Sequence, residues 1–293
     1  MDAPRLTSIY RIKYKIQGEP LISIIIPNKD HITDLTRCIY SILEKSTYSN
    51  YEIIIVENNS EEKETFEYYE VLQKRQNIRV VTWKDSFNYA AINNFGRTFA
   101  NGEYLLFLNN DIEVITPDWM QEMLMYAQRK DVGAVGCKLY YPDDTIQHAG
   151  VVVGILGTAG HVHYRFDKSN LGYMGRLYYA QDFSAVTAAC MMMPASVFDE
   201  VGGFDERFVV AYNDVDLCLR VRKTGKLVVF TPFAELYHYE SKTRGNDLDK
   251  KNKERFKREQ KLFTSTWKDF LEKGDPYYNP NFSLEREDFY LKV

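Results

Sequence analysis

The tripeptide Asn109-Asn110-Asp111 directly follows a short apolar run, Tyr104–Leu108 (YLLFL). Carboxylate and carboxamide oxygens are hard donors suited to Mg2+ or Mn2+. A cation held there would bridge the phosphates of a nucleotide and stabilise a departing diphosphate. The plainer alternative is a strand-ending turn, because Asn and Asp favour turns on their own account. A second candidate is the pair Asp214 and Asp216 in YNDVDLCLR. An acceptor hydroxyl must lose its proton as it attacks, and a positioned carboxylate acting as general base contributes about 10²–10⁴-fold in rate. Both residues sit where a helix begins, where the helix dipole favours negative charge. Asn213 reads as the N-cap, with Asp216 three residues later in a capping-box-like role, and that leaves Asp214 to face a crevice. His238, in LYHYES, is either a metal ligand or a hydrogen-bonded structural histidine. Glu57, in IIIVENNS, suits ribose hydroxyls or is a solvated loop residue.

The elements that must carry these groups are legible in the first half. Residues 21–26 (LISIII), 51–56 (YEIIIV), Ile78–Thr82 and Tyr104–Leu108 read as buried strands. Between them, residues 31–45, 61–74 and 87–100 have helical spacing, the last ended by Asn101-Gly102 as a C-cap. This rhythm predicts βαβ units and a parallel sheet. Ligands in such sheets bind beyond the C-terminal strand ends. That puts Asn28-Lys29-Asp30, Glu57-Asn58-Asn59-Ser60 and Asn109-Asn110-Asp111 on one polar rim.

The second half is less regular. Val132–Tyr140, 146–153, 184–193, 227–230 and 234–239 read as strands, and 212–224 as a helix. Residues 154–180 lack periodicity, as functional or mobile loops do. Within them His161 and His163 form an H-x-H that reads as surface or lid rather than a metal pair. Phe204 and Asp205 follow Gly202-Gly203, towards an acceptor or in an ordinary turn. Residues 248–273 form a charged amphipathic helix, followed by an extended arm, and 10–16 read as a short strand.

The 293 residues suit one large α/β domain, and 45% hydrophobic content allows a full core. The formal charge of −4, with both signs interspersed, argues against a nucleic-acid partner. Cys38, Cys137, Cys190 and Cys218 have no zinc-like spacing and read as buried free thiols in a reducing compartment. The start lacks an apolar signal segment, and no apolar run reaches the roughly 20 residues a membrane span needs. A cytoplasmic protein is therefore expected. The basic stretch at 250–258 leaves room for peripheral contact with the inner face of the cell membrane, although a solvated face is the plainer reading. The abrupt start suggests a piece of a longer multidomain chain. The expected organisation is a lead-in at 1–19, a main domain at 20–246, and a C-terminal helix and tail at 247–293.

SIIIPNKD, IIIVENNS, FNYAAINNFG, GEYLLFLNNDIEV, VGGFDERF, YNDVDLCLR and LYHYESKTRG occur in that order. Together they resemble bacterial family 2 glycosyltransferases of the GT-A fold, in the rhamnosyltransferase-like branch. The resemblance implies a nucleotide-diphospho-sugar transferase fold: a mostly parallel central sheet flanked by helices, here with a C-terminal helical extension. It implies that Pro27, Asn28 and Lys29 hold the nucleobase, that Glu57 stands where relatives carry a base- or ribose-binding Asp, and that Asn88 and Asn110 approach the nucleotide. The family's metal motif is commonly Asp-x-Asp or Asp-Asp, and with Asn109 in first place Asp111 is its only carboxylate. His238 matches a histidine that completes the metal site in several relatives, and imidazole favours Mn2+ over Mg2+. Asp214 matches the catalytic base of an inverting enzyme. The implied donor is dTDP-L-rhamnose or a UDP-sugar, and the implied acceptor a glycan or lipid-linked oligosaccharide. Two other readings stay open. A sugar nucleotidyltransferase would carry a Gly- and Arg-rich phosphate loop where this chain has PNKD. A non-catalytic glycan- or nucleotide-binding module would account for Asn109, Glu57 and Asn213 as departures.

Overall fold

Ile22, Ile24, Ile25 and Ile26 have no solvent exposure, which is why the first strand is apolar on both faces. In a computed structural model that describes residues 9–240 and 250–292, this strand is β1 (Ile22–Asn28), followed by α1 (Ile32–Lys45), β2 (Tyr51–Glu57), α2 (Lys63–Leu72), β3 (Ile78–Thr82), α3 (Tyr89–Arg97) and β4 (Tyr104–Leu108). Then come β5 (Ile112–Val114), α4 (Trp119–Ala127), β6 (Val132–Tyr140), β7 (Ile146–His148), β8 (Val151–Val153), β9 (Ala159–His161), β10 (Gln181–Phe183), β11 (Cys190–Pro194), α5 (Ala195–Glu200), α6 (Asn213–Lys223), β12 (Leu227–His238), α7 (Lys250–Thr266) and α8 (Lys268–Lys273).

The main sheet runs β10-β12-β6-β11-β4-β1-β2-β3. It is parallel across β4-β1-β2-β3 and again between β6 and β12. β11 enters antiparallel between β4 and β6, so the sheet is mixed, with its parallel part carrying the polar rim. Alternation splits the core. Ile24, Ile26, Ile53 and Ile55 pack with α1, α2 and α4 on one face, while Ile25 and Ile54 pack with α3, α6 and α7 on the other.

Several sequence expectations are corrected. β5 and α4 were not foreseen: α4 (WMQEMLMYA) is buried almost all round, so no amphipathic stripe marks it. The expected strands at 227–230 and 234–239 are one strand with a register break between Thr231 and Glu235. The strand expected at 146–153 divides at Gly150 (φ 104°). That expected at 184–193 begins only at Cys190. Helix α3 stops at Arg97, and Gly102 serves another purpose: a Cβ there would lie 2.7 Å from the Leu21 carbonyl oxygen and the Ser23 nitrogen. Residues 10–16 form no strand; Arg11 pairs with Glu122 of α4 at 2.6 Å. The expected boundary at 246/247 and the helix start at Leu248 lie outside the described residues. All four cysteines are buried and unpaired. Among the described residues, no helix is long and apolar enough to cross a membrane.

Gly96 lets α3 approach the sheet closely: a Cβ there would sit 2.6 Å from Ile25 Cγ2 and 2.9 Å from Val56 Cγ2. Overpacking of this kind costs about 1–3 kcal/mol. Gly96→Ala should lower unfolding free energy by that amount in urea. A Gly96→Ala protein as stable as the parent would refute the close approach.

Candidate active site

The C-terminal strand ends and the loop before α6 enclose one cleft in two adjoining halves. Pro27, Asn28, Lys29, Asn110 and Asp111 line the larger half, of about 1140 Å³ counting its open mouth. Asp214, Tyr212, His161 and Thr187 line the smaller, of about 770 Å³. Tyr89, Asn109, Val210, His238 and Glu240 border both.

β5 pairs antiparallel with the end of β12, which sets His238 opposite Ile112. The Tyr239 amide donates to the Asp111 carbonyl at 2.9 Å. His238 Nε2 therefore lies 3.1 Å from Asp111 Oδ1 and 3.2 Å from Asn109 Nδ2. Both the imidazole and the carboxylate are buried. As a lone-pair acceptor for Asn109, Nε2 cannot also donate to Asp111. Turning the Asn109 amide over, an assignment that rests on the hydrogen-bond network alone, puts Asn109 Oδ1 as well as Asp111 Oδ1 beside His238 Nε2. Neighbouring ligands of an octahedral cation at about 2.1 Å lie about 3 Å apart. The donor set and spacing thus fit a divalent cation. Among the described residues no group of three or more His, Cys, Asp or Glu could hold a metal. Further ligands would have to be Asn109, water and phosphate oxygens, which suits ions that keep part of their water shell.

Asp214 stands in the first turn of α6. Its Oδ2 accepts from the Ala188 amide at 3.1 Å and its Oδ1 from the Val215 amide at 2.8 Å. Two of about four lone-pair sites remain for a hydroxyl proton. Residues 187–189, expected in a strand, instead line the cleft, where the Ala188 amide meets Asp214. The expected cap is corrected too. Tyr212, at φ 65°, precedes the helix as its N-cap, while Asn213 Nδ2 donates to the Val210 carbonyl. Asp216 caps nothing; it accepts from Arg220 Nε and Trp267 Nε1.

Glu57 and Asn88 are not brought to the cleft lining. Glu57 accepts from the Ser60 amide and hydroxyl and from Tyr69 Oη. Tyr69 accepts from Asn28 Nδ2 at 2.7 Å, and Asn28 Oδ1 accepts from Asn110 Nδ2 at 2.6 Å. Glu57 therefore sits behind the rim, at the end of a chain that orients the residue beside Asp111. Asn88 caps α3 by accepting from the Ala91 amide, and its Nδ2 donates to the Glu206 carbonyl. Phe204 is core and Asp205 binds Arg207. Glu240, Tyr89 and Arg255 line the cleft with no local sequence signal; Glu240 accepts from Tyr141 Oη and Gln147 Nε2. His161 and His163 diverge. His161 Nδ1 meets His148 Nδ1 at 2.9 Å, whereas His163 is buried against Phe166 and Phe289.

Residues 23–202 match the family described as Glycosyl transferase family 2. The chain belongs to this family. The matched span ends before Asp214 and His238, so geometry alone brings those two to this family 2 glycosyltransferase's cleft. The chain is 46% identical over 286 residues to the uncharacterized protein y4gI of Sinorhizobium fredii, covering 96% of this chain and 31% of that one. It is 41% identical over 285 residues to the O-antigen biosynthesis protein RfbC of Myxococcus xanthus, covering 97% and 22%. It thus spans a third or less of either. A 62-residue stretch, 21% of this chain and 20% of the other, is 40% identical to the N-acetylglucosaminyl-diphospho-decaprenol L-rhamnosyltransferase of Mycobacterium tuberculosis, in keeping with the rhamnosyltransferase-like branch. The crystal structure of GalNAc-T7 with UDP, GalNAc and Mn2+ superposes with a TM-score of 0.62 at 14% identity, over 76% of this chain and 44% of that one. The shared fold is GT-A.

The buried polar groups of this glycosyltransferase make two expectations measurable. Tyr69→Phe removes one buried partner each from Asn28 and Glu57 and should cost about 1–3 kcal/mol in urea unfolding; no loss would mean the chain of hydrogen bonds is not formed. Burial, with Arg176 and Lys138 nearby, depresses the His163 imidazole to about 3. Its Nε2 accepts the Tyr173 amide, a role that protonation removes. Below the ordinary histidine value of about 6.5, the unfolded chain takes a proton that the folded one refuses, so stability falls as pH falls, by up to about 1.4 kcal/mol per pH unit. Between pH 6.5 and 5 the parent should lose up to about 2 kcal/mol more than His163→Gln, which keeps an acceptor. Equal slopes would refute this.

Proposed function

We propose that the chain moves a glycosyl group from a nucleoside diphosphate sugar to a hydroxyl of a glycan or lipid-linked acceptor, by direct displacement with inversion. The observation that carries this reading is the single cleft bordered on one side by Asp111 and His238 and on the other by Asp214. Asp214, aimed by two backbone amides, takes the acceptor proton as the new C1–O bond forms and the old C1–O bond to phosphate breaks. Pro27, Asn28 and Lys29 bind the nucleotide. Asp111 and His238, with Asn109 beside them, hold a divalent cation, Mn2+ before Mg2+ because of the imidazole. Once bound, that cation neutralises charge on the departing diphosphate.

The 62-residue similarity to an L-rhamnosyltransferase favours dTDP-L-rhamnose as donor. A UDP-sugar is the alternative on the same scaffold. The reading puts the enzyme at work in the cytoplasm, on acceptors at the inner face of the membrane, within a longer chain as in the relatives.

Nucleoside diphosphate release from a panel of nucleotide sugars with Mn2+ is the test. Asp214→Asn should still bind donor, by thermal shift, and lose transfer at least about 100-fold. Asp111→Ala should lose metal-dependent donor binding. Transfer at the parental rate by Asp214→Asn would remove Asp214 from the base role.

A further inference from the structure

The C-terminal helix α7 turns one face to the cleft. Arg255, Glu259 and Phe263 recur every fourth residue on it, with Trp267 just past its end, whereas Lys253, Lys257 and Lys261 point to solvent. Glu259, 3% exposed, accepts from the Val210 and Ala211 amides at 3.1 and 3.0 Å. Phe263 stacks on Tyr212 with ring centroids 4.9 Å apart. These contacts seat the helix on the loop that leads to Asp214.

One turn before Glu259, Arg255 lines the nucleotide half of the cleft together with Lys29, His31, Asn110 and Asp111. Its guanidinium is poorly used by the protein. Nη1 donates to Asn252 at 3.3 Å. Nε lies 3.9 Å from Glu259, beyond hydrogen-bond reach, and is buried with no hydrogen-bond partner among the described residues. Glu259 already has two amide donors and does not require it. Burying a guanidinium edge without a partner is costly, and a planar fork of donors matches phosphate oxygens.

We propose that Arg255 is a ligand of the donor diphosphate, supplied by the C-terminal helix, and that it takes up charge on the leaving phosphate. The inference rests on the donor class proposed above. As the acceptor oxygen bonds to C1 and its proton passes to Asp214, the C1–O electron pair leaves with the diphosphate. Arg255 donates to the oxygens on which that charge gathers.

The test titrates the whole chain with UDP and dTDP in Mn2+, and with uridine and thymidine as uncharged controls, for the parent, Arg255→Gln and Arg255→Lys. Arg255→Gln should bind its preferred diphosphate at least tenfold more weakly and the nucleoside within twofold, with the parental melting temperature. Arg255→Lys should fall between. Diphosphate affinity unchanged in Arg255→Gln would overturn the inference and leave the proposed function standing. Equal loss of nucleoside and diphosphate affinity with a lowered melting temperature would make Arg255 structural and overturn it too. A parent that binds neither diphosphate would overturn the proposed function, and this inference with it.

Discussion

Three antiparallel rungs between β5 and the end of β12 set the distance on which the cleft depends. They bring a histidine and an aspartate from distant parts of the sequence to 3.1 Å. Burial makes that meeting consequential, because little water is present to soften it. If His238 Nε2 keeps its lone pair for Asn109, that lone pair faces a carboxylate. If it carries a proton for Asp111, it opposes the Asn109 amide donor. With Asn109 Nδ2 towards the ring, either arrangement leaves one contact repulsive; with the amide turned over, a protonated Nε2 donates to both oxygens. With the amide turned over, its oxygen, the carboxylate and the imidazole nitrogen are the donor set that would accept a divalent cation.

The rim beside this pair is held by hydrogen bonds rather than by packing. From Asn110 through Asn28 and Tyr69 to Glu57, every link donates in the same direction and the series ends on a carboxylate. Aligned bonds of this kind polarise and strengthen one another at low dielectric. Glu57 thus acts on the cleft at third hand. Its extra methylene over aspartate suits that place: both oxygens reach back to Ser60 and Tyr69 and leave the pocket to Asn28.

How much of this could be read in the sequence depends on where each residue's partners lie. The rim was legible because a parallel strand buried on both faces is one apolar run, and the polar residues just past its end must border the crevice. The place of Asp111 on that rim and the order of the first elements needed nothing more, whereas Asp214 was read from a helix start and from the family resemblance. Glu57 was misplaced because its partner Tyr69 belongs to a helix whose facing cannot be read from strand ends. Helix α4 was missed because burial on nearly every side erases periodicity. Residues 184–189 read as strand because most are apolar and buried, yet that burial comes from packing in the core and along the cleft rather than from a sheet ladder. Glu240, Tyr89 and Arg255 reach the site only through tertiary folding, and nothing local distinguishes them from other surface residues.

Tertiary contacts also tie the C-terminal helix to the cleft. The helix that carries Asp214 is fixed at three points by α7 and the turn after it: Glu259 on the Val210 and Ala211 amides, Phe263 on Tyr212, and Trp267 Nε1 on Asp216. Without the C-terminal segment, two amides and a buried carboxylate would lose partners and the Tyr212 ring would be uncovered. Unpartnered buried polar groups cost about 1–3 kcal/mol each, comparable with the margin that holds one loop in one conformation. Tyr212 is in the left-handed region at φ 65°, a conformation that persists in a bulky residue only where its surroundings impose it. The stacking ring of Phe263 is such a surrounding. The C-terminal helix is therefore part of the packing that fixes the loop before Asp214, rather than a tail appended to it.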